Sequence, residues 1–181
     1  MSARTDVGLD LWEAIATHAG SESVLWAESL LPADERLPEP VFSPLGAPDH
    51  ALGLETIYEG YLVHYGRPRL FAPVDDDAAL LLGDYLYAHG LVHVAALGDV
   101  AAVGDLAELI SLCAQLRANG RNGDTAVWAA TAALLGRGQL GEARDAMRLD
   151  GDPRPLEHAA RGAAGDDAYE HAAAAHARLV G

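Results

Sequence analysis

His89 and His93 stand four residues apart in a run of helical pattern, so both imidazoles fall on one helix face. That spacing can chelate Zn²⁺ or a haem-like centre; the plainer reading is structural, with the rings hydrogen-bonded inside a helix interface. Asp75, Asp76 and Asp77 open the same helix. Carboxylates there complement the positive end of the helix dipole, and clustered carboxylates are also what Mg²⁺ or Ca²⁺ needs. Arg67 and Arg69, in the turn before them, are the candidates for receiving an anion. Tyr58, Tyr61, Tyr65 and Tyr85, four of the chain's six tyrosines, lie with His89 on the apolar faces of two neighbouring helices. An apolar surface dotted with hydroxyls suits a lined ligand pocket as well as a core. Glu55, Glu59 and His64 lack the Glu-x-x-His spacing of di-iron bundles and read as solvated edge groups. Cys113, on an apolar face with no basic neighbour, reads as an inert buried thiol. No nucleophile elbow, phosphate-binding loop or dinucleotide fingerprint is present.

These side chains must be placed by helices. Leu54, Ile57, Tyr58, Tyr61, Leu62 and Tyr65 recur at three- and four-residue steps, as do Leu81, Leu82, Tyr85, Leu86, His89 and His93, and a short Arg/Pro turn joins the two patterns into a hairpin. Upstream, Asp6 caps a helix that buries Leu9, Trp12 and Ile15, and Ser21 caps a second that carries Val24 and Leu25. Pro32, Pro38, Pro40, Pro44 and Pro48 then forbid a regular helix, which makes 32–48 an extended connection, and Asp49 offers the next N-cap. Downstream, Asp99 caps a helix through Leu106, Ile110 and Cys113, Asp124 opens another, and two or three more follow, with Pro153 or Pro155 in a first turn and an alanine-rich last pattern from Asp166 to Val180. The pattern from 126 to 149 looks like a single tetratricopeptide-type hairpin, whereas repeat arrays need about three copies. No segment alternates with period two. The expectation is one all-α domain over 1–181, an antiparallel bundle of seven to nine helices with a core at 49–136 and C-terminal helices at 139–181.

With 181 residues the chain can bury a core unaided, and a single cysteine excludes an internal disulfide. Acidic groups outnumber basic ones 27 to 12, and the net charge of −15 repels phosphate backbones and anionic membranes, so nucleic acid is not an expected partner. No apolar run approaches bilayer length, and Asp6 and Asp10 stand where a signal peptide would be basic. A cytoplasmic location is expected.

The central stretch resembles the trans-type polyprenyl diphosphate synthases, which have the all-α isoprenoid synthase fold. The resemblance covers about residues 51–135: Gly83-Asp84-Tyr85-Leu86-Tyr87-Ala88 is similar to that family's GDYLxA segment, Gly66-Arg67-Pro68 to its RGxP, and Asp124-Thr125-Ala126 falls where the family has Lys-Thr-Ala. In such enzymes two aspartate clusters hold Mg²⁺ against a diphosphate that Arg and Lys also bind. Here His64 runs directly into Tyr65-Gly66-Arg67, without the first aspartate cluster; the Lys position is Asp124; and the second half of the bundle is missing. The resemblance therefore implies a non-catalytic binding or partner subunit, with an apolar or prenyl-type molecule as possible ligand and no cofactor. The alternative is a small Mg²⁺-dependent enzyme acting on a prenyl diphosphate through Asp75–Asp77 and Arg67. A truncated bundle leaves the faces of Trp128 and of Ile110 uncovered, so these are expected at an interface with another helical protein or in a homodimer.

Overall fold

The structure, a computed structural model, describes the backbone of residues 3–180 and the side chains of residues 11–180. Asp6 and Leu9 lie outside the described side chains. Among the described residues there are nine α-helices and no strand: α1 Ala3–Glu22, α2 Val24–Glu28, α3 Ala51–Tyr65, α4 Asp76–Ala96, α5 Val100–Ala118, α6 Asp124–Ala133, α7 Gly141–Asp150, α8 Arg154–Ala164 and α9 Asp166–Val180. Asp99 acts as the expected cap of α5, and Asp75 of the acidic run caps α4, each accepting from the backbone N–H three residues on. The cap of α2 is Ser23 rather than Ser21, and Asp49 sits in a short 3₁₀ turn ahead of α3. No helix among the described residues is long and apolar enough to cross a membrane.

Helix α3 is the axis of the molecule. Ten consecutive residues, Gly53 to Leu62, are buried, so it has no solvent face. It pairs with α4 along a seam of glycines seven residues apart on each helix, Gly53 and Gly60 against Gly90 and Gly83. A Cβ on Gly90 would lie 2.4 Å from Ile57 Cγ1 and 2.8 Å from the Gly53 carbonyl oxygen; one on Gly60 would lie 2.9 Å from that of Gly83. Backbone meets backbone there.

The burial of α3 includes two carboxylates, Glu55 and Glu59, which are not the solvated edge groups expected. Arg69, also fully buried, donates to Glu55 Oε2 at 2.7 Å and to Glu59 Oε2 at 2.9 Å. Glu55 Oε1 accepts from the Val41 and Ser43 N–H groups, and Glu59 Oε1 from those of Arg69 and Leu70. A carboxylate is a stronger acceptor than a carbonyl, and here the pair supplies the partners that the 32–48 connection and the Arg/Pro turn, with little regular structure, would otherwise lack.

Two apolar clusters result. The larger holds Phe42, Tyr58, Tyr61, Trp128 and the inner faces of α5, α6, α8 and α9; the smaller holds Trp12, Ile15, Ala19 and Trp26 against Leu70, Phe71, Leu82 and Leu86. The faces expected to be uncovered are covered: Trp128 is 1% exposed, and Ile110 packs against the larger cluster. Helix α8 packs on α6 and brings Leu156 and Ala160 to the cluster, and the alanine-rich α9 adds Tyr169, Ala172, Ala175 and Leu179. Trp128 therefore offers no interface, and Ile110 is only partly exposed.

Candidate functional site

The five residues expected to line one pocket are divided by the glycine seam, which leaves no space between α3 and α4. Tyr58 and Tyr61 point into the larger cluster and are wholly buried. Tyr65 packs at its edge beside Tyr61. Tyr85 and His89 face the other side, beside Trp26 and α1.

The hydroxyls of Tyr58 and Tyr61 are committed to internal partners. Tyr58 Oη is 2.8 Å from His176 Nδ1 on α9, and Tyr61 donates to Asp124 and accepts from Arg117. Burial alone would push the Asp124 carboxyl up; His176, Tyr61 and Arg117 outweigh it and hold it well below the usual carboxylate range. His176 Nε2 is 3.7 Å from Asp124 Oδ2, beyond hydrogen-bond length. The position matched to a diphosphate-binding lysine is thus one end of an internal ion pair, Arg117 with Asp124. An open cleft of about 310 Å³ adjoins it.

Of the two arginines, Arg69 cannot receive an external anion: it is fully buried and occupied by Glu55 and Glu59, whose charges outweigh its desolvation and keep its pKa raised. Arg67 is exposed and lines a groove of about 550 Å³ with Leu31, Leu37 and Phe71, where Glu35 also stands. Asp75, Asp76 and Asp77 face solvent, Asp75 acting as the α4 cap. They belong to no group of ligand atoms able to share an ion among the described residues.

One such group does exist. His18 of α1 joins His89 and His93 of α4, and one ligand atom from each lies within 4.8 Å of the others. The rings are 4.4 Å (His89 to His93), 5.1 Å (His18 to His93) and 5.3 Å (His18 to His89) apart between centroids. The hydrogen-bonded interface expected for this pair is not what the side chains make. His18 Nδ1, His89 Nε2 and His93 Nε2 are all buried with no hydrogen-bond partner among the described residues, and so is the Tyr85 hydroxyl. Such groups cost ~1–3 kcal/mol each when unsatisfied, so four in one place call for a physical account.

Local sequence explains how they meet. Trp12, Ile15 and Ala19 seat α1 on the smaller cluster, and His18 flanks that apolar face at its rim. On α4, Tyr85, His89 and His93 follow at single-turn steps; the Tyr85 ring stacks between Trp26 (5.8 Å) and His89 (5.3 Å). Desolvation first, and then the other histidines, lower the pKa values of His89 and His93 below that of a free imidazole. Both are therefore neutral at neutral pH, the form that ligates a metal. A tetrahedral ion with metal–nitrogen bonds of ~2.0–2.1 Å needs nitrogens roughly 3.3 Å apart; here one ligand atom from each ring lies within 4.8 Å of the others. Imidazole donors suit Zn²⁺, Cu²⁺, Ni²⁺ or Co²⁺ and not Mg²⁺ or Ca²⁺. His89 and His93 were legible from spacing. His18 was not, because 71 residues of chain separate it from His89 and nothing local marks it.

Comparison with known protein families, with curated proteins and with solved structures returned no match.

Proposed function

We propose that this is a non-catalytic helical binding protein, acting in the cytoplasm, whose ligand is a divalent transition-metal ion held between α1 and α4 by His18, His89 and His93. The observation that carries the reading is the gathering of three imidazoles, each of which offers a ligand nitrogen within 4.8 Å of the others and each of which has a buried ring nitrogen without a hydrogen-bond partner among the described residues. The filled interior speaks against an apolar molecule lying between α3 and α4, since the glycine seam brings the two backbones into contact.

Calorimetric titration of metal-free protein with Zn²⁺ tests this. One ion per chain is expected, with binding abolished in His89→Ala/His93→Ala and strongly weakened in His18→Ala. Absence of saturable binding, or binding that survives the double substitution, refutes the proposal.

A second reading, a partner subunit or homodimer, is favoured by a different observation. The outward face of α4 beyond its acidic first turn is largely apolar: Leu80 and Leu81 are each 56% exposed and Val92 62%, with Ala88, Ala95 and Ala96 between and beyond them and Asp84 among them. This face, rather than that of Trp128, is where association would occur.

A further inference from the structure

We infer that the bound ion governs the docking of α1: in metal-free protein α1 and α2 leave their seat on Leu82 and Leu86 as a unit while the rest of the bundle stays folded, and the ion fastens them there. The inference rests on the metal reading above and adds what the ion does to the fold. Presence of a transition metal is thereby converted into the covering of one apolar face, and its absence into the baring of that face.

The three ligands are divided between two elements. His89 and His93 form a pair one turn apart on α4, which the glycine seam locks to α3. His18 comes from α1, and its ring stands 5.1 Å from His93 and 5.3 Å from His89 between centroids only while α1 is seated. A site of three imidazoles therefore exists in the docked form alone. The undocked form offers two, so an ion that takes three binds the docked form more tightly. Differential affinity of this kind is what lets a ligand shift a conformational equilibrium.

The seat is weakened from within when no ion fills it. Trp12, Ile15 and Ala19 supply its apolar part, but His18 Nδ1, His89 Nε2 and His93 Nε2 are buried in the same contact without a hydrogen-bond partner among the described residues. Undocking returns those nitrogens to water, so they oppose the seat. Among the described side chains, α1 has one ionic link to the rest of the fold, Glu13 with Arg36 at 3.4 Å, and it lies at the surface. Trp12 also covers the Arg69 guanidinium at 4.5 Å, yet Arg69 keeps Glu55 and Glu59 whether or not the indole is there. The remainder of the bundle is held by firmer means, the glycine seam and the bond from Tyr58 to His176 among them. The released unit also has a defined end. Leu31 N–H donates to the Leu70 carbonyl at 2.9 Å and Ala72 N–H to that of Ser29 at 2.7 Å, which pins 29–31 to the turn before α4. Trp26, stacked on Tyr85 at 5.8 Å, lies on the side of that anchor that leaves with α1.

Linkage allows a test from the apolar side of the seat. Ile15 is buried in the smaller cluster and is no ligand. In calorimetric titration of the full-length protein, Ile15→Ala should weaken Zn²⁺ binding at least ~5-fold, the lower end of ordinary coupling, because the ion must now hold a looser helix. Leu156→Ala, which opens a comparable cavity in the larger cluster from α8, should leave Zn²⁺ affinity as it was. Ile15→Val, the milder change, replaces Ile15→Ala if circular dichroism shows that the latter does not fold. Amide exchange gives a second readout on unaltered protein. Without metal, the amides of 11–20 should exchange faster than those of α3, since α1 opens without global unfolding, and Zn²⁺ at about 100 times its Kd should slow them ~100-fold. Unchanged affinity in the Ile15 variant, or α1 amides already as protected as those of α3 before Zn²⁺ is added, overturns the docking role while leaving the three-histidine site standing. No saturable Zn²⁺ binding, or binding indifferent to His89→Ala/His93→Ala, removes both.

Discussion

Replacing Arg69 by methionine isolates the interaction that holds α3 to its two irregular neighbours. Methionine fills much of the same volume but leaves Glu55 and Glu59, both fully buried, without their cation. Removing one partner of a buried ion pair costs ~3–5 kcal/mol. The guanidinium also lies 4.5 Å from the Trp12 ring centroid and 4.9 Å from that of Tyr58, contacts worth ~0.5–2 kcal/mol each when desolvated. Its Nη1 also donates to the Glu39 carbonyl at 2.9 Å, so the 32–48 connection loses an anchor too. The expected loss is then ~4–9 kcal/mol, against a total stability of ~5–15 kcal/mol for a domain. Urea unfolding followed by tryptophan fluorescence should show the midpoint collapse, with Arg67→Met, at an exposed site two residues away, within ~0.5 kcal/mol of wild type. Restoring neutrality with Glu55→Gln and Glu59→Gln on the Arg69→Met background should recover part of the loss, since the amide oxygens can still accept from the backbone N–H groups. A loss below ~1 kcal/mol in Arg69→Met, or no recovery in the triple variant, would falsify the assignment of Arg69 as the internal counter-ion.

The glycine seam predicts opposite outcomes for one chemical change at two helical sites. Gly90→Ala sets a methyl 2.4 Å from Ile57 and should cost ~1–3 kcal/mol or more, whereas Gly104→Ala, in α5 with nothing within 4 Å, should stabilise by ~0.4–1 kcal/mol in thermal or chemical unfolding. For the α4 face, light scattering across a concentration series should reveal association of the wild type that Leu81→Glu/Val92→Glu abolishes; a monomer of 19.0 kDa at high concentration disposes of the homodimer.

What could be read from the chain was whatever is local. The α3/α4 hairpin, the Asp75 and Asp99 caps and the all-helical class follow from spacing and from side chains that bond within three residues. The buried ion cluster was missed because Glu55 and Glu59 at four-residue spacing look the same whether they meet water or an arginine, and the arginine is supplied by a turn. The face of Trp128 looked bare because cover was sought from α9 alone, whereas α8 is the helix that packs most on α6. Of the three histidines proposed as ligands, two share a helix and were visible, and the third is brought to them only by the packing of α1 in the cluster of Leu82 and Leu86.

The sequence separations of the polar links set an order on the chain's loss of freedom. Arg69 closes on Glu59 and Glu55 across 10 and 14 residues, and on Glu39 across 30, whereas Tyr58 reaches His176 across 118. Loop-closure entropy rises with length, so the links of the α3 knot cost the chain less freedom than the one from Tyr58 to His176. The return of α9 is thus the polar contact that constrains the longest stretch of chain, and it does so at a tyrosine whose ring also packs on Trp128.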